Sequence, residues 1–206
     1  MVVSAFMKRV NLSEHAHYAT PEIFFDKTKE KGHPFAYHVY GTSVTAVTLD
    51  CLRGTYAFDA VKIVHDFGFS MNPAIDRGQI EGGLVQGIGW MTLEEIVFDQ
   101  QGRLRSNTLS NYKVPDIYSV PKEILIEPLL TDNDNAAIFR SKAVGEPPLM
   151  YGIGAFFAIR DAIKAFNPAA VVPFDAPLTP EKTLMALHDG HTKEPAGSVT
   201  AAAVSL

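Results

Sequence analysis

The sequence predicts an α+β fold in which mixed and antiparallel strands pack against two long buried helices. Residues 36–49 and 56–67 are rich in Tyr, Val and Thr, which favour strands. Residues 77–95 and 148–166 are instead dominated by apolar side chains over lengths that are typical of helices. The two kinds of segment alternate without an internal repeat, which indicates a mixed fold.

The strands are expected to begin with an antiparallel hairpin. Arg53 and Gly54 form a turn signal between the two Tyr- and Val-rich segments. A further strand is expected over residues 123–130. Residues 1–34 are expected to be irregular, with residues 23–25 forming either a short strand or a buried plug. A short last helix is expected to begin at Thr179, a suitable N-cap.

The predicted helix at 77–95 is unusual because it is rich in glycine, and Asp76 is its expected N-cap. Each glycine costs about 1 kcal/mol relative to alanine inside a helix. The four glycines concerned are Gly82, Gly83, Gly87 and Gly89. They favour either tight helix packing or close approach by a ligand. Since apolar residues occupy more than one face, the helix is expected to be buried, so Gln79 and Gln86 would be buried amides that need partners.

A second unusual segment, Ser-Lys-Ala-Val-Gly-Glu-Pro-Pro, occupies residues 141–148. Gly145 permits a sharp or positive-φ turn, and the two prolines are expected to push the residue before them out of helical geometry. Glu146 is therefore expected just outside the N-terminus of the helix that follows. It could be a helix cap, although Ser, Thr, Asp and Asn are better caps. A rigidly held carboxylate at an element boundary also suits a general base.

Composition restricts the class of protein. The 206 residues carry a formal net charge of −5, with 47% hydrophobic and 20% charged residues. Such a chain can bury one or two cores, and it lacks the basic footprint of a nucleic-acid-binding protein. Cys51 is the only cysteine, which excludes an internal disulfide, a cysteine zinc site or an iron–sulfur cluster on this chain. No signal-type or membrane-spanning stretch is evident, so a cytoplasmic location is expected.

Two long motifs carry a family resemblance: NPAIDRGQIEGGLVQGIG at 72–89 and SKAVGEPPL at 141–149. They resemble the molybdopterin-binding region of the xanthine dehydrogenase family, the molybdenum hydroxylases that also include aldehyde oxidases. Shorter blocks agree, namely GHPF at 32–35, LDC at 49–51, TLEE at 92–95 and NYKVP at 111–115. The resemblance covers residues 18–187 and implies the second half of that family's molybdopterin-binding domain.

The resemblance assigns roles to two residues. By motif match, Glu146 is the general base beside molybdenum and Gln79 contacts the molybdopterin. No residue of this chain is expected to be a metal ligand. Residues 72–73 and Asp76 also match the family and are expected to position the helix. Lys113 matches as well and could either contact the cofactor or be a solvated surface lysine.

The implied reaction is an oxidative hydroxylation in which the inserted oxygen comes from water. Glu146 would accept the proton of the attacking hydroxyl as its oxygen reaches an electron-poor carbon. Purines such as hypoxanthine or xanthine are the expected substrates, and aldehydes or other N-heterocycles are the alternative. The expected cofactor is molybdenum-molybdopterin, shared with the rest of the subunit. FAD and 2Fe-2S clusters are expected on other domains or subunits.

The resemblance also implies that a larger enzyme is needed for activity. Residues 1–187 are expected to be the C-terminal part of the molybdopterin-binding subunit, and residues 188–206 a flexible tail. The isolated chain is then expected to be inactive and to self-associate through the surface around the glycine-rich helix. Two hypotheses remain open. The chain is either part of an enzyme that requires the rest of the subunit and its iron–sulfur and flavin partners, or a non-catalytic structural module.

Overall fold

The computed structural model describes residues 1–131 and 137–188. In chain order the elements are α1 (Val2–Lys8), β1 (Phe24–Asp26), β2 (Lys31–His33), β3 (Gly41–Leu49), β4 (Tyr56–His65), α2 (Pro73–Thr92), β5 (Glu123–Pro128), α3 (Ile153–Phe166) and α4 (Pro180–Leu187). A 3₁₀ helix, Pro147–Gly152, leads directly into α3. The predicted α+β class is confirmed.

A three-stranded sheet with the order β3-β4-β5 supports the fold. β3 and β4 pair antiparallel, which confirms the predicted hairpin. β5 pairs with the other edge of β4 in the parallel direction, so the sheet is mixed. β4 is therefore the central strand, and its end at His65 is surrounded by neighbouring chain segments.

The central strand β4 also carries the sheet's contribution to the core. Val61, Ile63 and His65 alternate along it and are at most 1% exposed. The register with β3 shifts by one residue, and this bulge places Phe58 rather than Asp59 on the buried side. His65 thus occupies a core position although it is a titratable residue.

The two long helices complete the core. α2 buries Ile80, Leu84 and Ile88 along one stripe, at the four-residue spacing of a helix face. α3 buries Ile159 and Ile163 in the same way and packs against β3. The expected burial holds for these stripes, whereas the opposite face of α2 is exposed.

The start of α2 differs from the prediction. Asp76 is not the N-cap, because the helix begins earlier, at Pro73, and Asn72 Oδ1 accepts a hydrogen bond from the Ile75 N–H at 3.3 Å. Proline suits the first helical turn, where its missing N–H would have no partner. Asp76 instead accepts a hydrogen bond from the Ser70 hydroxyl.

The other helix predictions need smaller corrections. The helix expected from residue 148 begins as the 3₁₀ helix at Pro147, and α2 ends at Thr92 rather than at residue 95. The cap of α4 is confirmed, since Thr179 Oγ1 accepts a hydrogen bond from the Lys182 N–H at 3.3 Å.

The prediction that residues 1–34 are irregular is wrong. They contain α1 and an antiparallel β1–β2 hairpin. The carboxylate of Asp26 accepts hydrogen bonds from the N–H groups of Thr28 and Lys29 at 2.9 and 3.3 Å, which closes the hairpin turn locally. Phe24 and Phe25 are 65% and 52% exposed, so the short strand is confirmed and the buried plug is not.

The C-terminal tail and the absence of a membrane-spanning segment were also predicted from the sequence. The expected tail at 188–206 lies outside the described residues apart from His188, and the division of the chain at residue 187 stays a prediction. Within residues 1–131 and 137–188, no helix combines the length and apolar character that crossing a membrane requires.

Candidate active site

The structure brings the two predicted site residues, Gln79 and Glu146, to one place. An ideal Cβ on Gly145 would lie 3.4 Å from Oε1 of Gln79. The side chain of Gln79 therefore reaches from α2 to the backbone immediately before Glu146. Gly145 does not have a positive φ, so the turn expected there is made without left-handed geometry. Two residues distant in the sequence thus form one candidate site.

Glycines make the close approach of these segments possible. An ideal Cβ on Gly83 would lie 2.9 Å from Cβ of Pro148, and one on Gly87 would lie 2.1 Å from the Leu149 carbonyl oxygen. On the opposite side, a Cβ on Gly152 would lie 2.2 Å from the backbone of Gly87. Residues further along α2 contact residues further along the segment that follows Glu146. That segment therefore runs parallel to α2. For these glycines the tight-packing explanation holds.

The other face of α2 is open. Nothing lies within 4 Å of an ideal Cβ on Gly78 or Gly82. Gln79 and Gln86 are exposed, so the expectation that they are buried amides is wrong. The reason is geometric: at these positions the described chain covers only one face of a helix whose apolar residues are spread around its circumference. The open face near the start of α2 therefore presents the carboxamide of Gln79 beside the exposed backbone of Gly78 and Gly82.

Glu146 lies at the edge of this open face. It is exposed, and its carboxylate makes no hydrogen bond or ion pair with any residue in the described parts of the chain. The 3₁₀ helix begins at Pro147, which confirms that Glu146 lies just outside a helix N-terminus. Its own backbone is helical, with φ −99° and ψ −42°, contrary to the prediction. The Leu149 N–H donates to the Glu146 carbonyl at 3.1 Å, which closes the first turn of the 3₁₀ helix.

A buried polar cluster lies at the end of β4, next to the loop that carries Glu146. The Lys142 ammonium pairs with the Asp66 carboxylate at 2.7 Å, and their side chains are 5% and 0% exposed. His65 Nδ1 and the Tyr151 hydroxyl form a hydrogen bond of 2.5 Å. Sequence reasoning assigned no role to these four residues. The alternation of β4, which predicts a buried position for His65, was the available signal.

Burial and hydrogen bonding shift the pKa values in this cluster. Burial lowers the pKa of His65 below its ordinary 6.5 and raises the pKa of Tyr151 to about 12, so both groups are neutral near pH 7. Burial alone would raise the pKa of Asp66, but hydrogen bonds from Lys142, Gly68 and Thr131 outweigh it and the pKa is lowered. The cluster therefore contains one ion pair, between Lys142 and Asp66, and one neutral hydrogen-bonded pair, between His65 and Tyr151.

The shorter motif blocks meet at the other end of α2. The Tyr112 hydroxyl donates a hydrogen bond to the Glu94 carboxylate. An ideal Cβ on Gly89 would lie 2.3 Å from Pro115. Gly89 is ten residues along α2 from Gln79, a distance of about 15 Å. The block that contains Lys113 therefore packs away from the candidate site, and Lys113 itself is exposed there.

The structure also describes what could bind near Gln79. Among residues 1–131 and 137–188, no group of three or more His, Cys, Asp or Glu side chains is arranged to bind a metal ion. The carboxamide of Gln79 can donate and accept hydrogen bonds, and the backbone at Gly78 and Gly82 leaves room for a flat group. These features suit a polar heterocycle better than a bare ion.

The chain is similar to known proteins over most of its length. The family model of the molybdopterin cofactor-binding domain matches residues 1–121. The chain is 39% identical over 205 residues to xanthine dehydrogenase from Oryza sativa subsp. japonica, which covers 94% of this chain and 15% of that protein. It is 39% identical over 194 residues to aldehyde oxidase 1 from Oryctolagus cuniculus, covering 92% and 14%. The chain thus spans about 15% of the length of its relatives.

Solved structures show the same fold. Quinoline 2-oxidoreductase from Pseudomonas putida 86 matches with a TM-score of 0.63 and 31% identity, over 69% of this chain and 18% of that one. Aldehyde oxidoreductase from Desulfovibrio gigas matches with a TM-score of 0.63 and 31% identity, over 80% and 17%.

Proposed function

This chain belongs to the molybdopterin cofactor-binding domain family of the xanthine dehydrogenase type, and on that premise we propose that it supplies the general base and a cofactor contact to a molybdenum hydroxylase. The observation that carries the proposal is that Gln79 lies beside the backbone that leads into Glu146. Gln79 Oε1 lies 3.4 Å from the ideal Cβ position of Gly145, directly before Glu146. An exposed amide therefore lies next to the segment that presents an exposed carboxylate, for which the described residues supply no hydrogen-bond or ion-pair partner.

The residues of the open face fit a molybdopterin. Gln79 would donate a hydrogen bond to the cofactor, and Gly78 and Gly82 would let it approach the backbone of α2. When bound, the molybdenum cofactor supplies the redox centre that accepts two electrons from the substrate. The rest of the subunit would share the binding of this cofactor, with FAD and 2Fe-2S clusters on other domains or subunits.

The proposed role of Glu146 is to accept a proton. Its carboxylate has no partner within the described residues, so it is available to accept the proton of the attacking water-derived oxygen. Pro147 and Pro148 restrict the backbone dihedral angles immediately after Glu146. Because Pro148 packs against Gly83, this rigid segment is also fixed in position relative to α2. A base held in this way would not need to be ordered during the reaction.

The proposed reaction is the oxidative hydroxylation of a purine, hypoxanthine or xanthine. Support comes from the relative named xanthine dehydrogenase. The alternative, an aldehyde or another N-heterocycle, is supported by relatives named aldehyde oxidase. We propose that the enzyme is cytoplasmic and that the isolated chain is inactive.

The test is Glu146→Gln in the full-length holoenzyme, with Glu181→Gln, at an exposed position of α4, as a matched control. The amide keeps the shape of the side chain but cannot accept the proton. Rapid-reaction reduction under excess xanthine, and separately under excess aldehyde, should be slowed by roughly 10²–10⁴-fold in Glu146→Gln. Molybdenum content should stay normal in both variants.

The outcomes separate the alternatives. A Glu146→Gln enzyme that is reduced at nearly the wild-type rate would remove Glu146 from the role of base. Faster reduction of the wild type by aldehyde than by xanthine would favour the second substrate class. A protein that folds and assembles with the rest of the subunit but contains no molybdenum would favour the non-catalytic module.

A further inference from the structure

We propose that His65 and Asp66, at the end of β4, are positioning residues that hold Glu146 in place through Tyr151 and Lys142. The inference rests on the proposed function, because it defines their role relative to Glu146 as the base. Lys142 precedes Glu146 by four residues and Tyr151 follows it by five. Two adjacent residues, the last of the central strand and the one that follows it, therefore secure both flanks of the segment that presents the carboxylate.

The N-terminal flank is held by the ion pair. The Lys142 ammonium contacts the Asp66 carboxylate at 2.7 Å and donates to the His38 carbonyl at 3.1 Å. The second oxygen of Asp66 accepts hydrogen bonds from the Gly68 N–H and the Thr131 hydroxyl, both at 3.0 Å. Every partner of the carboxylate is thus defined, which fixes the direction from which Lys142 must approach.

Backbone contacts reinforce the same flank. The Lys142 N–H donates to the Phe67 carbonyl at 2.8 Å, and Ser141 forms a β-bridge with Gly68. The loop is therefore docked by both its side chain and its main chain at residues 141–142.

The C-terminal flank is held by the neutral pair. The Tyr151 hydroxyl lies 2.5 Å from His65 Nδ1, and the two rings meet edge to face with centroids 5.7 Å apart. Gly41, which pairs with His65 in the sheet, leaves the space for this hydroxyl, since a Cβ there would lie 1.8 Å from it. The position of Tyr151 is consequently set by both β3 and β4.

Stability alone gives no reason for a polar cluster at this position. Burying an ion pair is costly, and a packed apolar pair of similar volume is often as stable or more so. What a buried ion pair adds is a strict geometric requirement on its partners. The Glu146 side chain makes no hydrogen bond or ion pair with the described residues, so its position depends on how its two flanks are held.

The main test is Tyr151→Phe in the full-length holoenzyme, which removes one hydroxyl and keeps the ring. Tyr56→Phe is the matched control, because the Tyr56 hydroxyl is part-buried in the same core and donates to the Leu178 carbonyl at 2.6 Å. A second variant, Asp66→Leu combined with Lys142→Met, replaces the ion pair with an apolar pair. It keeps the inference testable should Tyr151→Phe fail to fold.

Two measurements are needed. The first is the rate of enzyme reduction under excess substrate, which should fall by about 10-fold or more in both test variants while molybdenum content follows the control. The second is hydrogen exchange of the amides at 141–146, which should become faster in the test variants than in Tyr56→Phe. The exchange rate measures how often the loop at 141–146 opens, and it does not depend on catalysis.

The results distinguish failure of this inference from failure of the proposed function. Unchanged exchange at 141–146, or reduction within about threefold of the control in both test variants, overturns the positioning role. Faster exchange together with slower reduction supports it. If Glu146→Gln, measured in parallel, is reduced like wild type, the proposed base is wrong whatever the exchange data show.

Discussion

The two faces of α2 use the same residue type for opposite purposes. On the inner face, Gly83 and Gly87 are packed so closely that an added Cβ would lie 2.9 and 2.1 Å from its neighbours. On the outer face, Gly78 and Gly82 have nothing within 4 Å of that position. Glycine therefore permits backbone contact within the chain on one face, and leaves backbone accessible on the other.

The comparison extends to the residues beside these glycines. Ile80, Leu84 and Ile88 on the inner face are at most 1% exposed, whereas Trp90 is 46% exposed. Inner-face changes should accordingly alter stability, and outer-face changes should alter binding or association. Changes at Gly87, Gly82, Gln79 and Trp90 test that division.

The largest effect is expected from Gly87→Ala. Its new Cβ would meet the carbonyl oxygen of Leu149, and backbone cannot move aside as a flexible side chain can. We expect the free energy of unfolding to fall by about 1–3 kcal/mol or more. Gly82→Ala, on the open face, should instead raise it by up to about 1 kcal/mol, because alanine favours the helix. Thermal unfolding of the two holoproteins measures the difference, and equal midpoints would contradict the division.

The next effect concerns cofactor binding by Gln79. Gln79→Ala should weaken molybdopterin binding by roughly 2–10-fold, the cost of about one hydrogen bond. Molybdenum occupancy should fall more than turnover per bound metal, since the amide takes no proton in the reaction. Gln86→Ala is the control, as it removes an exposed amide from the same helix. Full occupancy combined with poor turnover per metal would show that the role of Gln79 is wrongly assigned.

A smaller effect is expected for self-association of the isolated chain. Exposed Trp90 lies on the outer face of α2, where we expect copies to associate at tens of micromolar, roughly the range of weak protein contacts. Trp90→Glu should reduce association in sedimentation experiments. Leu109→Glu, at a residue that is 87% exposed elsewhere, should leave it unchanged. A monodisperse monomer of the unmodified chain would contradict this prediction.

The smallest effect is a dependence of stability on pH. The folded-state pKa of His65 is lowered by burial below its ordinary 6.5, so the unfolded state binds more protons just below that pH. Acidification through this window should destabilise the protein, by at most about 1.4 kcal/mol per pH unit. His65→Gln should be less sensitive between pH 7 and 5. A wild type and variant that lose stability in parallel would show that His65 does not titrate as described.

Local sequence signals determined much of the fold. The Tyr- and Val-rich segments identified the β3–β4 hairpin, and Thr179 identified the start of α4, because strand propensity and capping act over a few residues. Two long motifs identified the family and pointed to Gln79 and Glu146. The sequence did not identify Asn72 as the N-cap of α2, nor the N-terminal β1–β2 hairpin. In both places several adjacent residues could have formed the cap or the turn.

The tertiary structure alone decided which residues meet. Helical periodicity could not tell the inner glycines of α2 from the outer ones, because apolar residues surround the helix and only packing against Pro147–Gly152 selects a face. Nor could it place Asp66 against Lys142 or His65 against Tyr151, whose contacts link segments far apart in the chain. The sequence by itself determined the chemistry that is available, a carboxylate, an amide and a glycine-rich helix. The fold brought these groups together, because a contact between distant residues depends on the path of the whole chain.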